Sequence, residues 1–221
     1  NVPLVHPELL GLPGKAGKEQ ITQSQALSSL VKAYIDGDSD SVTGIGLALF
    51  ANGHSLSDIC DKVITPALAK IGHQWETGAL EIYQERNACS MTHDLLSEMG
   101  RLIPNCQKDA PFAMGASIEH DPYSIAVKMG EIVLKDLGWN SQTIGSNVPI
   151  HSVIAAIKQR QPQLIWLSLT YIHDPASLIQ NMSELYACAL ENNVDVIVGG
   201  QGITKALREQ MSFTGYCDTF S

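Results

Sequence analysis

Positive charge is scarce in this chain: 14 Lys and Arg stand against 23 Asp and Glu in 221 residues, a formal charge of -9. A phosphate backbone is gripped by clustered Lys and Arg, so the acidic balance excludes nucleic-acid binding by this segment alone. Long apolar runs are also missing. None approaches the roughly 20 residues a membrane helix needs, and the first residues lack a basic stretch followed by an apolar one. Neither a membrane span nor a secretion signal is expected. Cysteine is sparse and odd in number, at Cys60, Cys89, Cys106, Cys188 and Cys217, without a C-x-x-C pair. A disulfide framework or zinc site is excluded on that spacing, and reduced thiols in a cytoplasm are the expectation. The chain has no G-x-S-x-G elbow and no H-E-x-x-H helix, which argues against a hydrolase or metalloprotease. "TGIGLAL", Thr43 to Leu49, holds a G-x-G, but no strand precedes it and the third glycine is absent. Close helix packing explains it better than a dinucleotide site.

What the chain does have is 44% hydrophobic residues, enough for one large core or two small ones. It starts at Asn1, and "NVPLVHPELLGLPGKAGKE" is rich in Pro and Gly without a sustained period. We expect residues 1–19 to be a linker, with a further module preceding it. Helical periodicity then runs from Gln20 to Asp36, from Val42 to Asn52, from Ser55 or Ser57 to about Thr77, and from Leu80 to Ile103. Pro66 is expected to kink the third of these or divide it. Helices this close together, with short connections, describe a four-helix bundle over residues 20–105.

From about residue 110 the grammar changes to short β-forming runs alternating with amphipathic stretches. Strands are expected at Phe112–Ser117, Ser141–Gly145, Leu164–Thr170 and Val194–Val198. Helices are expected at Pro122–Leu137, Ile150–Arg160, Pro175–Asn192 and Thr204–Gln210, and "TGYCDTF" can begin a fifth strand or a turn. The fold class is therefore α/β: a four-helix cap followed by a flavodoxin-like, Rossmann-type parallel sheet over residues 110–221. In such sheets a ligand is gripped by loops at the carboxyl ends of the strands. "GASIEHDPYSIAVKMG", Gly115 to Gly130, places His120 and Asp121 on one such loop.

This arrangement, over about residues 20–221, resembles the cobalamin-binding modules in which a four-helix bundle accompanies a Rossmann-like domain. The family motif D-x-H-x-x-G reads here as Ile118-Glu119-His120-Asp121-Pro122-Tyr123, keeping the histidine but not the aspartate or the glycine. Ser168-Leu169-Thr170 and Gly199-Gly200 follow in family order. The resemblance implies His120 as the cobalt ligand, with Ser168, Thr170, Gly199 and Gly200 around a displaced nucleotide tail. A neutral imidazole suits a transition metal, and its other nitrogen normally donates to a carboxylate that fixes its tautomer. Ile118 cannot take that part, which leaves Glu119, Asp121 or a water. Asp121 reads equally well as a helix N-cap before Pro122. In the bundle, Trp75 precedes Glu85-Arg86 at the spacing at which the family has Trp and Glu-His. The implied role of Trp75 is to cover the upper corrin face with Glu85 beside it; a core anchor at a helix end is the alternative. Light-sensing relatives carry a histidine after that tryptophan, where Glu76 stands here, and Arg86 replaces the other histidine. His151 and His173 are read as surface or crevice-lining, and Cys89 as a buried packing residue.

The resemblance thus implies a non-enzymatic module that binds cobalamin, adenosylcobalamin or another corrinoid. The leading expectation is a sensor in a homo-oligomeric transcriptional regulator, with light as one candidate signal and DNA bound only by a part outside this chain. The alternatives are a corrinoid methyl carrier for a methyltransferase system, and a ligand-free interaction domain of the same fold.

Overall fold

The computed structural model describes residues 22–221, so the linker expected at residues 1–19 lies outside the described residues. The chain forms two compact units, the first ending at Met99 and the second spanning Gly100–Ser221.

The first unit is helical: α1 (Gln23–Asp36), α2 (Ser39–Ala51), α3 (Leu56–Ile59), α4 (Thr65–Glu76) and most of α5 (Ile82–Leu102). Thr22 opens α1 through a reciprocal capping box with Gln25, and Gly37 closes it in the left-handed conformation at φ 70°. Asp38 and Ser55 cap α2 and α3. The expected third helix is divided as Pro66 requires. A π segment, Cys60–Ile64, joins α3 to α4, because proline lacks an N–H and its ring crowds the carbonyl four residues back. Leu30, Leu49, Leu56, Ile59, Ile64, Ile71, Leu95 and Leu96 fill the interior. Within it the Thr92 hydroxyl donates to the Ala88 carbonyl at 2.8 Å, so Tyr34 must be the donor in its 2.6 Å bond to Thr92. Burial pushes the Tyr34 phenol well above its ordinary pKa, which keeps that donor proton in place. Of the G-x-G stretch only Gly46 is required by packing: a Cβ there would come within 2.5 Å of Leu95, whereas one on Gly44 would meet nothing.

The second unit is a five-stranded parallel sheet of β1 (Phe112–Ile118), β2 (Asn140–Val148), β3 (Leu164–Ser168), β4 (Asp195–Gly199) and β5 (Gly215–Cys217). Its crossover helices are α6 (Ile125–Asp136), α7 (Ile150–Arg160), α8 (Pro175–Glu191) and the short α9 (Lys205–Arg208). The strand order β2-β1-β3-β4-β5 is that of flavodoxin-like proteins. Successive connections leave β1 in opposite directions, which opens a crevice at the carboxyl ends of β1 and β3. The main core lies along Ile165, Leu167, Val196 and Val198, with Val153 and Ile157 of α7 and Leu178, Met182 and Leu185 of α8. Trp166 instead joins Ala113 and Val127, and its indole N–H donates to the Val127 carbonyl at 3.3 Å. On α6, burial would raise the Glu131 carboxyl, but Lys135 and Lys128 bridge to it and hold it below the usual range.

Three boundaries at the crevice depart from expectation by two residues or more. Helix α6 begins at Ile125, not Pro122, because Asp121 to Tyr123 is taken up by a turn in which the Asp121 carboxylate accepts the Tyr123 N–H at 3.1 Å. Strand β2 runs on to Val148, its pairing with β1 shifting register at Ala116 before resuming at Ile118 with Val148. Strand β3 ends at Ser168, since the Thr170 N–H leaves the ladder for Asp121.

Candidate corrinoid site

In the α/β unit the site is organised by one carboxylate. Asp121 is fully buried. Its Oδ2 accepts the backbone N–H groups of Thr170 at 2.6 Å and Tyr171 at 3.1 Å, while Oδ1 takes that of Tyr123. The side chain therefore fastens the β1 exit to the β3 exit. Neither sequence reading of Asp121 describes this: it does not cap α6, whose N-cap is Ser124, and its bonds run to backbone amides. The Asp121 carbonyl also accepts from the Ser117 hydroxyl at 2.7 Å and from the Asn147 N–H at 3.0 Å.

Between these anchors stands His120, on left-handed backbone at φ 68°. A non-glycine residue there carries strain of about 1–3 kcal/mol and needs its surroundings to impose it. Two bonds do so: the His120 N–H donates to Asn147 Oδ1 at 2.7 Å, and the Asp121 N–H to the Ile118 carbonyl at 3.0 Å. Asn147 is itself left-handed at φ 55°, a conformation that asparagine tolerates better than most residues. The backbone is held, and the imidazole is exposed. Its ring meets that of His173 with centroids 4.9 Å apart and planes inclined at 54°. Ile118, at the motif's aspartate position, is buried in the sheet core. Tyr123, at the motif's glycine position, is 40% exposed.

Ser168 is brought to the same edge. It pairs with Ser117 on one side and Gly199 on the other, is nearly buried, and has its hydroxyl 3.4 Å from that of Thr170. The Leu169 N–H donates to the Gly199 carbonyl at 2.8 Å and the Leu169 carbonyl accepts from Gly202 at 2.9 Å. This close approach makes the glycines necessary to the chain's own packing. Gly200 sits at φ 123°, and a Cβ there would lie 2.5 Å from the Leu169 oxygen; at Gly199 one would lie 2.7 Å from the Cys217 oxygen. Gly200→Ala is expected to cost about 2 kcal/mol or more, from forbidden backbone and overpacking together. Urea unfolding followed at Trp139 and Trp166 checks it, and an unchanged midpoint would contradict this packing.

In the helical unit Trp75 lies in the last turn of α4 and is 40% exposed, outside the buried core. Ile82 and Tyr83, just across the turn that follows, are also exposed. Glu85 is half-buried, its carboxylate accepting from the Cys89 thiol at 3.3 Å and lying 3.4 Å from the Arg86 guanidinium. Cys89 is thus half-buried and partnered, not a buried packing residue; burial, with Glu85 beside it, pushes its thiol up to about 12. All five cysteines are free.

The donor set fits a corrinoid. A cobalt already ringed by corrin nitrogens needs a single protein ligand, and His120 offers an exposed imidazole on a loop held from both sides. Among the described residues no His, Cys, Asp and Glu side chains gather in threes to hold a bare metal ion. The residues singled out in the sequence, His120, Ser168, Thr170 and the glycines, are brought to one edge of the sheet by the β1, β3 and β4 exits. Sequence reasoning missed Ser117, Asn147 and the ring contact of His173. The one signal for Asn147 was an asparagine in the turn "SNVP".

Comparison with known proteins agrees with the architecture. A B12 binding domain model matches residues 112–218, and a second B12 binding domain model matches residues 26–98. Trimethylamine corrinoid protein 1 of Methanosarcina mazei is 23% identical over 194 residues, covering 86% of this chain and 87% of the relative. Dimethylamine corrinoid protein of Methanosarcina barkeri is 22% identical over 204 residues, covering 90% and 93%. The solved monomethylamine corrinoid protein of Methanosarcina barkeri shares the fold, with a TM-score of 0.74 at 16% identity over 90% of this chain and 95% of that one. The two domain matches follow one another in the order of the two units, so the chain is similar, unit by unit, to B12 binding domains.

Proposed function

We propose that the chain is a corrinoid methyl carrier, holding its cofactor through His120 and serving methyltransferase partners, and is not itself a catalyst. The observation that carries this reading is the span of the curated relatives. Proteins named as trimethylamine and dimethylamine corrinoid proteins align through both units, over 86% to 90% of this chain. That ranks the methyl carrier above the transcriptional sensor to which the sequence first pointed. Where the light-sensing relatives carry two histidines this chain has Glu76 and Arg86; an arginine stays protonated and would not coordinate a metal, and a carboxylate is a harder partner than imidazole, which counts against light as the signal.

When bound, the corrinoid supplies a cobalt that accepts and releases the methyl group. The chain supplies the rest. His120 would be the protein ligand. Ser168 and Thr170 would offer hydroxyls to the cofactor, and Gly199 and Gly200 hold the β4 exit close beside them. Trp75, exposed on the helical unit, and Glu85 on its last helix are the residues of that unit that the family resemblance assigns to the cofactor. The free thiols agree with a cytoplasmic protein, and among the described residues no helix is long and apolar enough to cross a membrane.

Trp75→Ala is expected to leave folding nearly unchanged, because the indole is exposed, but to weaken adenosylcobalamin binding about tenfold. Binding of a small-ligand form should fall less; titration of both forms is the check, and equal losses would remove Trp75 from the cap.

The carrier reading is tested by methyl transfer. Chain loaded with methylcobalamin and freed of excess is incubated with a thiol and a corrinoid:thiol methyltransferase. One thioether should form per corrinoid, the bonding electron pair staying with cobalt. A loaded chain that keeps its methyl group while free methylcobalamin reacts in the same mixture would contradict the carrier and favour the sensor.

A further inference from the structure

We propose that His173 is a positioning residue for His120, its ring fixing the orientation in which the His120 imidazole meets cobalt. The inference rests on the corrinoid reading above. A metal-bound histidine is usually steered by a partner that restrains its ring. The carboxylates of this loop do not fill that place. Asp121 is buried and committed to three backbone N–H groups, Glu119 is exposed, and Ile118 contributes only an alkyl group to the sheet core. What lies against the His120 ring is His173, 4.9 Å away and inclined at 54°, the tilted arrangement that aromatic rings favour.

The position of His173 is set from both sides. Upstream, the Thr170 and Tyr171 N–H groups are held by Asp121. Downstream, Asp174 caps α8, accepting from the Ala176 N–H at 3.0 Å and the Ser177 hydroxyl at 2.6 Å. One of those fastenings is shared, because Asp121 also directly follows His120. The same buried carboxylate therefore sets the spacing of the two rings. The sequence could not show this, since the β1 and β3 exits lie about 50 residues apart along the chain.

The test compares the parent with His120→Ala, His173→Ala and His173→Phe, the last keeping a ring without its nitrogens. Each is reconstituted with hydroxocobalamin in the dark and reduced to cobalt(II), and the fraction of cobalt bound to a protein imidazole is read from the nitrogen hyperfine splitting with 15N-labelled histidine. Carbon relaxation of the His120 ring is measured in the same proteins before cofactor is added. His173→Ala should lower the imidazole-bound fraction about 2- to 10-fold and loosen the His120 ring in the cofactor-free protein, while His173→Phe restores both. Because His173 is exposed, unfolding midpoints should not move. An alanine variant that matches the parent in both readouts would overturn the proposal, as would a phenylalanine variant as impaired as alanine. If His120→Ala keeps a protein imidazole on cobalt and His173→Ala does not, the roles are reversed and the proposal is wrong. A parent that retains no corrinoid defeats the underlying reading instead, and ring relaxation then decides the contact by itself.

Discussion

Asp121→Ala is expected to destabilise the α/β unit by about 3 kcal/mol. Three backbone N–H groups, those of Tyr123, Thr170 and Tyr171, lose their acceptor at once. A hydrogen bond to a charged group contributes about 1.5–3 kcal/mol, and a donor left unpaired loses its solvation as well. Full additivity is not expected, because Tyr123 and Tyr171 are exposed and water can reach their amides. Asp121→Asn keeps the shape and one acceptor oxygen, so it should lose about half as much. Urea unfolding read at Trp139 and Trp166 reports this unit, and a midpoint shift with unchanged slope is the expected form. A loss under about 0.5 kcal/mol for the alanine variant would mean that the carboxylate does not fasten the two exits. The same variant should release His120 from its geometry even where the unit stays folded, since Asp121 is the next residue and its carbonyl ties the loop to Ser117 and Asn147.

His120→Ala should abolish protein-imidazole coordination of cobalt in the reconstituted protein completely while leaving stability within about 0.5 kcal/mol. Alanine retains a Cβ, so the cost of left-handed backbone at φ 68° is unchanged and the substitution reports the imidazole alone. His120→Gly would relieve that strain, and comparing the two variants separates backbone from ligand. Strain of this kind persists where surrounding bonds impose it, and here they are the His120 N–H to Asn147 and the Asp121 N–H to Ile118. Spectra of parent and alanine variant that coincide would remove His120 from the metal.

The fold was legible where local signals decide it. Alternation of β-forming runs with amphipathic stretches located β1 to β4 and the helices between them, and Pro66 announced the break that the π segment fills. That His120, Ser168 and Gly199-Gly200 share one edge of the sheet was legible in their order, because strand exits follow from strand positions. What the sequence concealed depends on partners far along the chain. Asp121 looked like a helix cap because Pro122 follows it, yet its acceptors are used by Thr170 and Tyr171. The glycines suggested room for a ligand, yet Leu169 and Cys217 already occupy the space that their side chains would need. His173 carried no motif at all, and only the meeting of two loops gives it a neighbour.

The central claim is that this chain binds a corrinoid through His120, and the most direct measurement is gel filtration after dark reconstitution with hydroxocobalamin. One corrinoid should co-elute per chain, with a protein imidazole on cobalt in the parent and none in His120→Ala. A protein peak free of corrinoid, from a chain whose unfolding shows both units intact, would contradict it.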